Sequence, residues 1–192
     1  MRYLRALAAL GLLAALAACA QPPAPPQLGA DGQPVQRVYR ISAADEQRIP
    51  FRALDSVNTL RSGRGLAPLE LNSALNAAAA THARDMSSQG RPWHFGSDGS
   101  SPVERVSRAG YAGAMRGELV SETFESELET LRAWMQERDT RSLLLDPEAR
   151  DMGFAFHQEA NGKLWWTLVT GVPSQRGPVP SGPGRIAGQG VM

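Results

Sequence analysis

The chain has 192 residues, with 20 Lys and Arg against 19 Asp and Glu and a formal net charge of +1. This balance argues against a nucleic-acid-binding protein, because such proteins use an excess of cations to neutralise phosphates. The single cysteine, Cys19, excludes an internal disulfide, so the domain must be stable through its core alone.

The first 18 residues have the three-part form of an export signal. Arg2 and Arg5 precede an apolar run, Ala6 to Ala18, that is too short to span a bilayer. The run ends Leu16-Ala17-Ala18-Cys19, which resembles the bacterial lipobox, and we expect cleavage before Cys19 and lipidation of its side chain. A short membrane anchor with an incidental cysteine is the alternative. Removal of the signal would change the formal charge from +1 to −1.

Two segments rich in proline or glycine flank the part of the chain that can form a core. Residues 19–44 contain Gln21-Pro-Pro-Ala-Pro-Pro and are predicted to be an extended tether. Residues 175–192 combine Gly and Pro with few apolar side chains and are predicted to be a flexible tail. Residues 45–174 remain, which is enough chain for one domain with a single core.

Apolar periodicity predicts two helices in the first half of this domain. The first begins near Pro50, with Leu54, Val57 and Leu60 on its apolar face. The second begins near Asn72 and ends at Gly90, and its apolar face consists of Leu71, Leu75, Ala78, His82 and Met86. We interpret His82 as a hydrogen-bonded core residue that could also approach His94, because only a short segment separates the two.

A segment rich in Gly and Ser carries His94 and leads into a short third helix, Pro102 to Ala109. Ser101 and Glu104 have the spacing of a capping box at its start. Glu118 follows on the next segment. The nearby serines are predicted to cap and turn the chain rather than to act as nucleophiles; these are Ser97, Ser100 and Ser101.

A fourth helix and a hairpin are predicted for the second half. The helix has Ser121 as its candidate N-cap, and one face carries Phe124, Leu128, Leu131 and Met135. Phe154 and Phe156 then alternate with small or polar residues, and Asn161-Gly162 predicts a type I′ turn before an apolar strand. His157 precedes this turn and is expected to be exposed. Helices beside an antiparallel sheet predict an α+β fold.

Short motifs occur in order through residues 51–172. They are Asn58-x-x-Arg61, Gly65-Leu66-x-Pro68-Leu69, His82-Ala83-x-Asp85-Met86, His94-x-Gly96-x-Asp98-Gly99, Glu104-Arg105, Gly110-Tyr111, Gly117-Glu118, Trp134-Met135, Leu143-Leu144-x-Asp146-Pro147, Met152-Gly153 and Trp165-Trp166. Their order resembles the CAP superfamily, which comprises the cysteine-rich secretory, antigen 5 and pathogenesis-related proteins, and in particular its bacterial secreted branch. The resemblance implies an α-β-α sandwich, with the antiparallel sheet between helices and a shallow cleft.

In that family two histidines and two glutamates line the cleft, and in some members they bind a divalent metal. By resemblance, His94 matches the first histidine, and Glu118 and Glu137 match the two glutamates. Thr140 stands where the second histidine is expected, and Leu119 replaces an asparagine that usually follows the first glutamate. Glu137 lies off the apolar face of its helix, so a solvated position is its alternative interpretation.

The missing histidine bears on metal chemistry. A neutral threonine is a poor ligand for Zn²⁺, whereas imidazole is a good one. We therefore expect no resident cofactor and at most weak binding of a divalent metal such as Zn²⁺, with His94 as the candidate ligand.

The sequence therefore predicts a lipid-anchored cell-envelope protein whose domain is a binding or interaction module rather than an enzyme. The resemblance implies a lipid, cell-wall or envelope-protein ligand. One alternative is a hydrolase, either metal-dependent or using His94 as base, with Glu118 and Glu137 as further catalytic candidates. Another is a structural spacer. Because no Asp follows Cys19, we expect the outer membrane, facing the periplasm, if the cell has two membranes.

Overall fold

The fold is that of a computed structural model that describes residues 39–123 and 125–174. The predicted signal, Cys19, most of the predicted tether and the predicted tail lie outside these residues, as does Phe124. Within the described ranges, no helix combines the length and apolar character needed to cross a bilayer.

Six helices and four strands make up this part of the chain. The helices are α1 (Ala43–Glu46), α2 (Ile49–Ser62), α3 (Ser73–Gln89), α4 (Pro102–Arg108), α5 (Glu127–Gln136) and α6 (Arg138–Leu144). The strands are β1 (Glu70–Leu71), β2 (Gly113–Thr123), β3 (Asp151–Gln158) and β4 (Leu164–Pro173).

The strands form one sheet in the order β1-β3-β4-β2. The short β1 is parallel to β3, whereas β4 is antiparallel to both of its neighbours. One face of the sheet packs on α2, α5 and α6 around Phe154 and Trp166, and the other packs on α3 and α4 around Ala155 and Val169. The predicted α+β sandwich, with the sheet between helices, is confirmed.

The two helices with clear start and stop signals lie where the sequence predicts them. Asn72 caps α3 by accepting from two backbone N–H groups, and Gly90 ends it with φ +68°, a left-handed conformation that glycine adopts without strain. The capping box of Ser101 and Glu104 starts α4. Local rules suffice for these ends because each hydrogen bond joins residues a few positions apart.

The buried face of α2 differs from the predicted one. It consists of Ile49, Ala53, Val57 and Arg61, whereas Leu54 and Leu60 lie at its margin. Arg61 is fully buried because its guanidinium donates to the carbonyls of Ala67, Leu144, Asp146 and Ala149. These four acceptors offset the cost of removing its charge from water.

The predicted start of the fourth helix is wrong. Ser121 lies in β2, where it pairs with Trp166, and α5 is capped instead by Ser126, which forms a capping box with Glu129. The residue pattern of β2 did not predict a strand, because β2 lies at the edge of the sheet and has mixed burial along its length. Leu128, assigned to the apolar face, is exposed.

The hairpin between β3 and β4 exists, but its turn is not type I′. The Gly162 N–H donates to the Glu159 carbonyl at 2.9 Å, so Ala160 and Asn161 are the central residues. A type I′ turn needs positive φ at both central positions. Positive φ occurs here only at Gly162 (φ +99°).

All three tryptophans near the predicted hairpin and fourth helix are buried, namely Trp134, Trp165 and Trp166.

Residues before position 45 also contact the domain. The Tyr39 hydroxyl donates to Glu127 at 3.2 Å, and the Gln158 side chain binds the Ile41 N–H and the Tyr39 carbonyl. Contacts with the domain therefore reach into the segment predicted as a tether.

A substitution at Gly153 tests how closely α3 lies on the sheet. A Cβ at this position would overlap the backbone of Leu75 and Asn76, which cannot rotate away as a side chain could. We expect Gly153→Ala to lower the free energy of unfolding by about 3 kcal/mol. Urea denaturation of the mature chain measures the change.

Gly63→Ala is the matched control, because Gly63 has φ −61° and its nearest neighbours lie 3.7 Å from an added Cβ. We expect this variant to remain within about 0.5 kcal/mol of the wild type. Equal unfolding midpoints for the two variants would contradict the close contact between α3 and β3.

Candidate functional site

His94 lies on the loop between α3 and α4, and two sets of hydrogen bonds fix this loop. Within it, the Gly96 N–H donates to the Ser100 carbonyl at 2.8 Å, and the Gly99 N–H donates back to Gly96 at 2.9 Å. Asp85 on α3 accepts from both the backbone N–H and the hydroxyl of Ser97. His94 is therefore carried by a loop that is tied to a helix.

Glu118 on β2 faces this loop. Its Oε1 lies 3.0 Å from His94 Nδ1, and its side chain is 3% exposed, whereas that of His94 is 51% exposed. An ionised carboxylate can only accept, so Nδ1 carries the proton of this hydrogen bond. In the neutral imidazole, Nε2 is then the nitrogen with a free lone pair.

Arg105 on α4 forms an ion pair with Glu118, the residue that accepts from His94. One terminal nitrogen donates to both Glu118 oxygens, at 2.9 and 2.8 Å, and the other donates to the carbonyls of His94 and Ser100, at 2.9 and 3.0 Å. Arg105 is 7% exposed. A buried guanidinium with this many acceptors joins α4, β2 and the loop, and loss of either charge would leave the other uncompensated.

His82 on α3 is the fourth member of the cluster. Its Nε2 lies 2.8 Å from the Trp93 carbonyl, which can only accept, so Nε2 carries a proton. The same nitrogen is 3.7 Å from Glu118 Oε1, too far for a hydrogen bond but close enough for attraction. His82 is fully buried, which confirms its interpretation as a hydrogen-bonded core histidine. His82 was also predicted to approach His94, and in the structure both histidines lie close to the same residue, Glu118.

Burial controls the charge of His82. Loss of solvation lowers the pKa of His82, and the nearby Arg105 lowers it further, whereas Glu118 opposes the shift. His82 is therefore neutral at neutral pH, with its Nδ1 buried and without a hydrogen-bond partner in the part of the chain that the structure describes.

Glu137 and Thr140 lie at the junction of α5 and α6. Glu137 is exposed, and the Thr140 hydroxyl donates to the backbone carbonyls of Trp134 and Glu137. Among the described residues, neither side chain hydrogen-bonds to His94 or Glu118. The structure therefore shows direct contact between two of the four residues that the resemblance assigns to the cleft.

Two members of the cluster, Arg105 and His82, were not assigned to the site from the sequence. Both belong to motifs that carry the resemblance, and Arg105 follows the capping-box glutamate directly. Their roles depend on distances between separate elements, which spacing along the chain does not give. His157 lies on β3 and is partly buried rather than exposed as predicted.

A tight zinc site needs three or four protein ligands. Within residues 39–123 and 125–174, no three His, Cys, Asp or Glu side chains are grouped so that they could hold a metal ion. His94 offers one nitrogen, Nε2, oriented by Glu118 in the way that carboxylates orient metal-binding histidines. His94 Nε2 is thus a candidate for one metal-ligating nitrogen.

Aromatic rings flank His94 on both sides in sequence. Trp93 and Phe95 have ring centroids 5.6 Å apart, and the Arg91 guanidinium stacks over Trp93 at 3.3 Å from its centroid. Gln89 binds both the Trp93 indole N–H and the Phe95 carbonyl. Phe95 is about half exposed, so the loop that carries His94 also presents apolar surface.

An open pocket of about 450 Å³ lies between α3, α4 and the loop that joins them. Alanines contribute its apolar wall, and Thr81, Ser97, Asp98 and Arg108 contribute polar groups. Arg105 also lines it, so one side chain contacts both this pocket and Glu118. Its volume is within the range of small-molecule pockets.

The family model of the CAP domain, described as the cysteine-rich secretory protein family, matches residues 54–170. The chain belongs to this family. The protein YkwD of Bacillus subtilis (strain 168), described as uncharacterized, is 23% identical over 114 residues. The match covers 59% of this chain but only 44% of YkwD, so the chain spans less than half of that relative.

Solved structures from bacteria share the fold. An outer surface protein from Borrelia burgdorferi aligns with a TM-score of 0.62 at 15% identity, covering 71% of this chain and 98% of its own. An extracellular protein with an SCP domain from Bacillus anthracis str. Ames aligns with a TM-score of 0.59 at 16% identity, covering 70% and 45%. The protein is thus a CAP-domain protein of bacterial type, and these structural neighbours are surface or extracellular proteins.

The depressed pKa of His82 makes stability depend on pH in a defined direction. When a folded-state pKa lies below the unfolded value of about 6.5, the unfolded chain takes up the proton first as the pH falls. Stability should therefore be full above pH about 6.5 and decline below it. His82→Gln, whose amide can still donate to the Trp93 carbonyl, should lose less stability than the wild type between about pH 7 and about pH 5.

Urea denaturation at several pH values measures this difference. His157→Gln is the matched control, because it removes a histidine outside the cluster and should keep the wild-type decline. The same decline in His82→Gln and in the wild type would contradict a neutral, buried His82.

Proposed function

We propose that the protein is a lipid-anchored cell-envelope protein whose CAP domain binds a ligand at His94 and does not catalyse a reaction on it. The observation that carries this proposal is the pair of hydrogen bonds from Arg105 to both oxygens of Glu118, at 2.9 and 2.8 Å. These hydrogen bonds limit how strongly Glu118 can stabilise a positive charge on His94.

A histidine acts as a strong general base when a neighbouring carboxylate stabilises the imidazolium that forms. In this cluster Arg105 already offsets the charge of Glu118, so the carboxylate stabilises a cationic His94 less than an unpaired one would. Glu118 still fixes the orientation of the ring. The arrangement supports a rigid contact with a ligand better than proton transfer.

The nearby hydroxyl groups also support binding over catalysis. Ser97 donates to Asp85, and Ser101 donates to Glu104. Among the described residues, no hydroxyl group donates to His94 in the way that a serine nucleophile donates to its base.

A hydrolase is the second candidate function, and one observation favours it. The hydrogen bond between His94 Nδ1 and Glu118 is the one that orients a catalytic base, and a water molecule could take the place of a side-chain nucleophile. A spacer, the third class, would need neither the exposed imidazole nor the neighbouring Phe95.

The surroundings of His94 fit an amphipathic ligand. Neutral Nε2 accepts a hydrogen bond, and Trp93 and Phe95, which flank His94 in the sequence, add aromatic surface on the same loop. Lipid, cell wall and envelope protein remain the proposed ligand classes. The surface and extracellular location of the structural neighbours supports a location outside the cytoplasm.

Binding to two envelope materials tests the proposal. The mature chain is sedimented with purified peptidoglycan sacculi and, separately, with vesicles of phosphatidylethanolamine and phosphatidylglycerol. We expect binding to one of them, with a loss of tenfold or more in His94→Ala and none in the control His157→Ala; a tenfold loss corresponds to about 1.4 kcal/mol.

Hydrolysis is measured in the same samples as release of soluble fragments or fatty acids, with EDTA or with added Zn²⁺. We expect no release above background in either. Release that His94→Ala abolishes would establish the hydrolase instead, and Zn²⁺-dependence of that release would show that His94 belongs to a working metal site. No binding to either material, with no release, would leave an envelope-protein ligand or the spacer.

Lipid anchoring has its own test, because Cys19 lies outside the described residues. We expect the wild-type protein to incorporate a labelled fatty acid and to fractionate with the membrane, with the outer membrane in a two-membrane bacterium. Cys19→Ser should abolish labelling and leave the protein as an unprocessed precursor or in the soluble fraction. An unlabelled, soluble wild-type protein would refute the anchor and leave the ligand site untouched.

A further inference from the structure

We propose that His82 is a positioning residue of the site: by holding the peptide group that precedes His94, it sets the direction in which the His94 imidazole meets Glu118. The inference rests on the proposed function only in taking His94 as the residue that contacts the ligand.

The first support is the hydrogen bond from His82 Nε2 to the Trp93 carbonyl at 2.8 Å. Trp93 directly precedes His94, so this carbonyl belongs to the peptide group that leads into His94. His82 lies on the buried face of α3, a helix of 17 residues, and is itself fully buried. The donor is therefore fixed in position by the packing of the helix.

The second support is that the next peptide group is also held. Arg105 on α4 donates to the His94 carbonyl at 2.9 Å. The peptide groups on both sides of the His94 Cα are thus fixed, one by α3 and the other by α4. With both fixed, the side chain reaches Glu118 Oε1 at 3.0 Å through its own two torsions. Release of the Trp93 carbonyl would free one of the two restraints.

The third support is the unpartnered nitrogen of His82. A buried polar atom without a hydrogen bond costs stability, and a phenylalanine or leucine would fill the same space without that cost. Nδ1 of His82 is such an atom among the described residues. Packing alone does not explain a histidine at this position, whereas the donor at Nε2 does.

NMR of the imidazole nitrogens in the unliganded mature chain tests the proposal, because nitrogen shifts distinguish the Nδ1–H tautomer from the Nε2–H tautomer. In the wild type we expect His94 in the Nδ1–H form. His82→Gln, whose terminal amide replaces the Nε2 donor, should keep that form. His82→Phe should lose it, because the loop is no longer held and the hydrogen bond to Glu118 is weakened.

A purely structural role for His82 would lower stability without changing His94. A folded His82→Phe protein in which His94 keeps the wild-type tautomer would therefore overturn the proposal. If His82→Phe does not fold, His82→Asn replaces it, since its shorter amide cannot reach the Trp93 carbonyl as glutamine can. The same His94 tautomer in the Asn and Gln variants would also overturn it.

The experiment separates the two proposals because it needs no ligand. A His82-dependent tautomer of His94 together with ligand binding unaffected by His94→Ala would refute the proposed function and leave standing only the effect of His82 on the His94 ring. His157→Phe is the control for replacing a histidine by an aromatic ring and should leave the His94 signals unchanged.

Discussion

The buried ion pair between Arg105 and Glu118 determines the arrangement of the candidate site. Two charges removed from water are stable only when their geometry is good and further hydrogen bonds satisfy them. Here both Glu118 oxygens accept from Arg105, and the other terminal nitrogen of Arg105 binds two backbone carbonyls of the loop. The interaction that compensates these charges therefore also fixes the loop that carries His94, so the stability of this region and the geometry of the site depend on the same atoms.

The parts of the fold that the sequence predicted depend on local interactions. The ends of α3 and α4 follow from capping groups within a few residues, and the sequence showed them. The strand β2 is stabilised by pairing with β4, which lies about 50 residues further along the chain. The residue pattern of β2 alone therefore does not predict this pairing. The start of α5 had a local signal, since Ser126 and Glu129 repeat the spacing of Ser101 and Glu104, but the apolar face assigned from Phe124 onward placed it too early.

In the candidate site, too, some features were predicted from the sequence, whereas others depend on contacts between elements that are distant in the chain. The resemblance brought His94 and Glu118 together, and the structure places them in contact. It could not give the tautomer of His94, which depends on a distance between a loop and a strand. Nor could periodicity distinguish the two roles of His82, because a residue that packs in a core and a residue that donates to a neighbouring loop occupy the same face of a helix. A buried Arg105 was unexpected because charged side chains are rarely buried unless paired, and its partner lies on another element.

The tautomer limits what a ligand must offer under the proposed function. Because Nδ1 donates to Glu118, neutral His94 presents Nε2 as an acceptor, so the ligand group that meets it must be a donor such as a hydroxyl or an amide N–H. Phe95, the next residue on the loop, adds exposed apolar surface that a small ion would not use. Sugar hydroxyls and peptide amides of a cell wall supply donors throughout their length, whereas phospholipids supply them only in the headgroup. On these grounds the two materials in the binding experiment should give different results, and sacculi are the ones that this hydrogen-bond pattern favours.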